Sequence, residues 1–89
     1  MPKVVREGDV NSNGGIALRQ QKTYFVDGRP VITEGSPVTP HPPFGIHSFA
    51  RTGKGSDEFL VEGKRVNRVG DIDTCGCPRV QGSNNYNVG

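Results

Sequence analysis

Apolar residues in this chain come singly or in pairs, alternate with polar ones, and are interrupted every few positions by glycine, asparagine, aspartate or proline. That rhythm predicts short β-strands joined by tight turns, with no helix. Val4-Val-Arg-Glu-Gly-Asp9 reads as a strand running into a Gly-Asp turn, and Asn11-Ser-Asn-Gly-Gly15 continues the turn with residues that tolerate positive φ. Ile16-Ala-Leu-Arg-Gln20 alternates with period two, and Thr23-Tyr-Phe-Val26 is β-branched and aromatic, so both are expected to be strands. Asp27-Gly28 is a type I′ hairpin signal, and residues 29–33 return from it. Pro30 has no N–H, which puts that strand at an edge or leaves its donor side free.

The middle of the chain, residues 36–45, carries four prolines and is expected to be a stiff loop. It presents His41 between Pro40 and Pro42, and His47 follows shortly after. Residues 51–57 read as a flexible polar loop, 58–61 as a strand, Glu62-Gly63 as a tight turn and 64–69 as its return. The expected core is Phe44, Phe49, Phe59, Tyr24 and Phe25. Residues 4–79 form the expected body of one domain spanning 1–89, with 80–89 a polar C-terminal tail, loosely ordered or lying along a partner.

Self-comparison adds organisation. Residues 26–36 match residues 61–71 at Val, acid, Gly, base, Val and Gly, and residues 4–9 are a partial third copy. Five or six positions after Gly8, Gly35 and Gly70 stand Asn13, His41 and Cys75, so three equivalent loops direct coordinating side chains toward one region. Repeats of this kind pack around an axis.

Composition changes the picture in one respect. A chain of 89 residues with 31% hydrophobic residues, 13 Gly, 7 Pro and no Trp buries only about 60% of its unfolded surface, so a staple is expected. Lys and Arg are scattered and the net charge is +2, which gives no nucleic-acid footprint. No stretch has the length of a secretory signal core or a membrane span, which implies synthesis in a reducing compartment. There the two cysteines, Cys75 and Cys77, are metal ligands or free thiols rather than a disulfide, and their C-x-C spacing would strain such a bond.

Zinc favours four tetrahedral nitrogen and sulfur donors. His41, His47, Cys75 and Cys77 supply that count with every histidine and cysteine of the chain, and would tie the middle loop to the last turn. Histidine ligands also admit iron. A thiol nucleophile with a histidine base finds little room for a pocket in so small a chain, so no enzyme is expected. Gly53-Lys-Gly-Ser56 lacks a full phosphate-loop pattern, and Asp9, Asp71 and Asp73, which could suggest calcium, are expected to bond their own backbone instead.

Gly8-Asp-Val-Asn-Ser-Asn-Gly-Gly15, Val61-Glu-Gly-Lys-Arg-Val66 and Val69-Gly-Asp-Ile-Asp-Thr-Cys75 resemble, in order and spacing, motifs of the PAAR-repeat family. Its members cap trimeric β-helical spikes in type VI secretion systems and contractile phage tails. The resemblance implies an all-β, conical domain with pseudo-threefold repeats, its base on the trimer at one copy per trimer and a metal, usually zinc, near the vertex. It also implies manufacture in the bacterial cytoplasm, work at the tip of a phage tail or secreted spike, and transient contact with the target envelope. No nucleic acid, small-molecule substrate or fused toxin domain is expected. The family usually binds metal through three histidines and one cysteine; here Asn13 stands at the usual first histidine, and Cys77 offers a replacement. The alternative from another class is a small zinc-stabilised binding module, with nucleic acid among its candidate ligands.

Overall fold

The computed structural model describes residues 2–21, 23–42, 44–45 and 48–88. Its regular structure is all β and very short. Strands β1 (Phe25–Val26) and β2 (Arg29–Pro30) form one antiparallel hairpin, and β3 (Leu60–Val61) and β4 (Lys64–Arg65) form another. Asp27 and Gly28 have φ of 55° and 78°, and Glu62 and Gly63 have 53° and 79°, the paired positive φ of a type I′ turn. Pro30 lies in β2 just before Val31, whose N–H donates to Tyr24 O at 3.1 Å, so the ladder bonds fall on either side of the missing donor. The longer strands expected at 4–9 and 16–20 are instead isolated bridges between distant segments.

Those bridges obey a threefold rule. Arg6 pairs with Val31, Thr33 with Val66, and Arg68 with Val4, so each copy hands on to the next and the last returns to the first. At the centre the Val5 N–H donates to Asn67 O (3.0 Å), Asn67 N–H to Ile32 O (2.8 Å), and Ile32 N–H to Val5 O (2.9 Å). Three hydrogen bonds close on themselves around a pseudo-threefold axis. A chain that circles an axis changes partner every few residues, which explains why no ladder grows long.

Each copy then turns at a glycine. Gly8, Gly35 and Gly70 have φ of 93°, 81° and 97°. Each sits third in a four-residue turn closed by an N–H to C=O bond, Asp9 to Arg6, Ser36 to Thr33 and Asp71 to Arg68. A type II turn needs positive φ at that place, so glycine recurs there. Asp9 and Asp71 accept from the N–H of Arg6 and Arg68 through Oδ2 at 2.8 and 2.7 Å, the backbone role expected for them.

The core corrects the sequence reading. Phe25, Phe44 and Phe49 are 50%, 64% and 85% exposed, and only Tyr24 and Phe59 pack against the core, from its edge. The buried places belong to valines: Val4, Val31 and Val66 occupy one position in the three copies, and Val26, Val61 and Val88 another. A layer around a threefold axis admits one side chain from each copy, and compact branched ones fill it at native density. Residues 51–57 are also more firmly placed than a flexible loop: Thr52, Gly55 and Ser56 are buried, and Ser56 N–H donates to Val66 O at 2.9 Å.

Val88 belongs to the polar tail, and its burial reveals what the tail does. Val4 N–H donates to Tyr86 O (3.0 Å), as Val31 N–H does to Tyr24 O and Val66 N–H to Phe59 O (2.9 Å). Residues 85–88 therefore stand where 23–26 and 58–61 stand. For the first copy this strand comes from the C-terminal segment. Tyr24, Phe59 and Tyr86 meet with ring centroids 5.1 to 6.5 Å apart.

Candidate metal centre

From the ring of Val5, Ile32 and Asn67, the copies run on into three loops, residues 9–17, 36–52 and 71–79. All three close alike: Ala17 N–H donates to Asp9 O, Thr52 N–H to Ser36 O, and Arg79 N–H to Asp71 O. The first and third loops have the same length and backbone. Gly14 N–H donates to Asn11 O in one and Gly76 N–H to Asp73 O in the other, and Gly14 and Gly76 share φ near +90°, at 87° and 92°. Asn13 and Cys75 thus hold one place, and Gly15 and Cys77 another. The second loop is closed by the counterpart of the Asn11-to-Gly15 bond, Val38 N–H to Ala50 O at 3.1 Å, and its greater length gives it the reach to bring His41 inward.

His41, Cys75 and Cys77 are brought together, all three buried, with one potential ligand atom from each lying within 4.8 Å of the others. His41 Nε2 is 3.4 Å from Cys75 Sγ and 3.8 Å from Cys77 Sγ. A tetrahedral zinc with ordinary bond lengths puts nitrogen and sulfur donors about 3.6 Å apart, so the spacing fits. The tautomer fits as well. His41 Nδ1 is 2.8 Å from Thr39 O, and a carbonyl only accepts, so Nδ1 carries the proton and Nε2 faces the sulfurs with its lone pair. His47, the remaining residue of the expected set, lies outside the described residues.

The imidazole's seat depends on Gly15, where a Cβ would fall 2.5 Å from His41 Nδ1 and 2.7 Å from Val38 Cγ1. Val38, Ala50, Cys75 and Cys77 form the apolar shell. Burial holds the Cys77 thiol above its ordinary pKa, aided by the hydrogen bond and charge of Cys75, against hydrogen bonds from Ser12 and Asn13. A metal bound here therefore displaces protons.

Under the sulfurs lies a polar network that sequence reasoning missed. Asp73, expected from the sequence to bond its own backbone, instead forms an ion pair with Arg79, both side chains fully buried and Nη1 to Oδ2 at 2.8 Å. Arg79 Nη2 donates to Asp9 O, and Asn11 Nδ2 donates to the same Asp73 oxygen at 2.9 Å while lying 3.4 Å from His41 Nε2. Asn11 Oδ1 accepts the N–H groups of Asn13 (3.0 Å) and Gly15 (2.8 Å) and so shapes the first loop. Asn11 and Asp73 each stand three residues beyond a turn glycine, a match that self-comparison could have found. Arg79 occupies the place of Ala17 and Thr52, and nothing in the sequence marks it as buried.

An all-β ring of three like strand-and-turn units with a buried histidine and two cysteines at one end defines a small threefold domain with a candidate metal staple. The family model described as PAAR motif matches residues 7–81, nearly the whole chain, and the protein belongs to that family. Members are structural spike tips rather than enzymes, and membership supports a tip role in contractile injection systems in general. Comparison with curated proteins finds no match. No helix among the described residues is long and apolar enough to cross a membrane.

Proposed function

We propose that the protein is the metal-stapled tip of a contractile spike, one copy capping a trimeric β-helical partner, and that it meets the target envelope transiently when the spike is driven home. The observation that carries this reading is the convergence of His41 Nε2 with both sulfurs at the loop end of a pseudo-threefold ring. A single chain with internal threefold order can match a true trimer, which a chain without repeats cannot. Phe25 and Leu60, equivalent residues half exposed near the valine core, suit contact with such a partner at the end away from the cysteines.

The metal is zinc, with iron the alternative, held by His41, Cys75, Cys77 and a fourth donor for which His47 is the candidate. It would cross-link the second and third loops and stiffen the end that meets resistance. Type VI secretion and a phage tail both fit this design. Metal analysis of the purified chain should give one zinc or iron per molecule, and mixing with the cognate spike should give one copy per trimer. A metal-free folded chain would overturn the staple, and a stoichiometry of three per trimer would overturn the cap.

A further inference from the structure

The first loop reaches the centre with an amide instead of an imidazole. Asn13 Nδ2 lies 3.0 Å from Cys77 Sγ, well inside hydrogen-bond range for sulfur. The loop is built for this contact: Asn11 Oδ1 holds the Asn13 N–H, and Gly14 takes positive φ to turn the chain back. The partner sulfur exists because the third loop carries Cys77 at the place where the first loop has Gly15. An amide N–H that points at a sulfur donates to it and cannot at the same moment bind a cation.

We propose that Asn13 is a positioning residue that donates its side-chain N–H to the Cys77 sulfur, orients that sulfur toward His41 and Cys75, and draws charge from the thiolate when metal is bound. This rests on the reading of His41, Cys75 and Cys77 as metal ligands. An N–H bond to a thiolate stabilises the sulfur lone pair and so weakens its donation to the metal slightly. It also fixes the sulfur where the metal needs it, and that positioning is the larger effect, so losing the bond lowers affinity. Outer-shell donors of this kind commonly affect metal affinity by about 10- to 100-fold.

The test uses the full chain loaded with cobalt(II), whose sulfur-to-metal charge-transfer band reports the thiolates and whose d–d bands report coordination. In Asn13→Ala the charge-transfer band should move to longer wavelength, the d–d bands should keep their tetrahedral intensity, and competition with a chelator should show affinity about tenfold weaker. Asn13→Leu, close in shape but unable to donate or to bind metal, should move the band the same way; it carries the test if Asn13→Ala does not fold. Unchanged band and affinity in variants that load metal would overturn the role of Asn13 alone. Loss of tetrahedral d–d intensity would also overturn it, because Asn13 would then be a ligand through Oδ1. A folded wild-type chain that takes up no cobalt would instead overturn the metal centre on which the proposal rests.

Discussion

The two ends of the molecule are built from the same three copies and solve opposite problems. At the valine end every layer repeats: Val4, Val31 and Val66, then Val26, Val61 and Val88, then Tyr24, Phe59 and Tyr86. Like side chains there meet like surroundings, and apolar burial suits them all. At the cysteine end two loops of like backbone carry Asn13 and Cys75 while a longer one carries His41, with a buried Arg79–Asp73 pair beside them. Apolar packing can be threefold, whereas a site needing one imidazole, two thiols and a proton on the right nitrogen cannot. Function enters where the symmetry breaks.

The largest expected effect tests whether the broken-symmetry end depends on metal. Structural zinc contributes on the order of 10 kcal/mol to folding, more than a core of this size supplies. Cys75→Ser, or a strong chelator on the wild type, should therefore unfold the domain or lower its melting temperature by tens of degrees, measured by circular dichroism with and without added zinc. A chelator-treated wild type that melts as before would show that the cysteine end stands by packing.

Next comes the ion pair. Arg79→Ala leaves the Asp73 carboxylate buried without its cation, at a cost of about 3 to 5 kcal/mol. Arg79→Met together with Asp73→Leu should recover much of that loss, because a buried pair and an apolar pair of similar volume are close in stability. Urea denaturation of the three proteins measures both. If the double variant were no better than Arg79→Ala, the network would be doing more than satisfying its own charges.

The valine end has a flaw at Asn67, and mending it should stabilise the protein. Asn67 holds the axial place that Val5 and Ile32 hold in the other copies, and its buried Nδ2 and Oδ1 find no hydrogen-bond partner among the described residues. Asn67→Val removes the unmet polar atoms while keeping the backbone ring, so stability should rise by about 1 to 3 kcal/mol, seen as a higher urea midpoint. A fall would mean that the amide is satisfied by water in solution.

How much of this was legible in the sequence follows the same division. The hairpin turns at Asp27-Gly28 and Glu62-Gly63, the three turn glycines and the meeting of His41 with Cys75 and Cys77 are written in local residue type and spacing. Closure of the ring by the tail is not, because Tyr86 and Val88 sit in a polar stretch and their equivalence to Tyr24 and Val26 emerges only from the bond of Val4 N–H to Tyr86 O. The core was misread for a related reason. Aromatic size suggested burial, but a narrow threefold axis admits valine, and the flanking Phe25 was turned outward by strand alternation.

The smallest expected effect separates the ends by acid. Metal ligands must be deprotonated to bind, so lowering the pH releases metal from the cysteine end first. The closing tail at the other end is held by Asp27, whose carboxylate accepts from Ser83 Oγ, Asn85 Nδ2 (3.0 Å) and Arg6 Nη1 (2.9 Å). The Ser83 and Asn85 bonds, then the Arg6 charge, hold its pKa below the ordinary carboxylate value. A carboxylate with a depressed folded pKa contributes stability that is fully present above its unfolded pKa of about 3.9 and is lost as pH falls through the lower folded value. Asp27→Asn should therefore melt slightly below wild type at neutral pH, the gap should narrow below about pH 4, and metal content should be the same in both at every pH. A gap that instead closed together with metal release would mean that the tail and the metal centre are one cooperative unit, and the division between the two ends would not hold in solution.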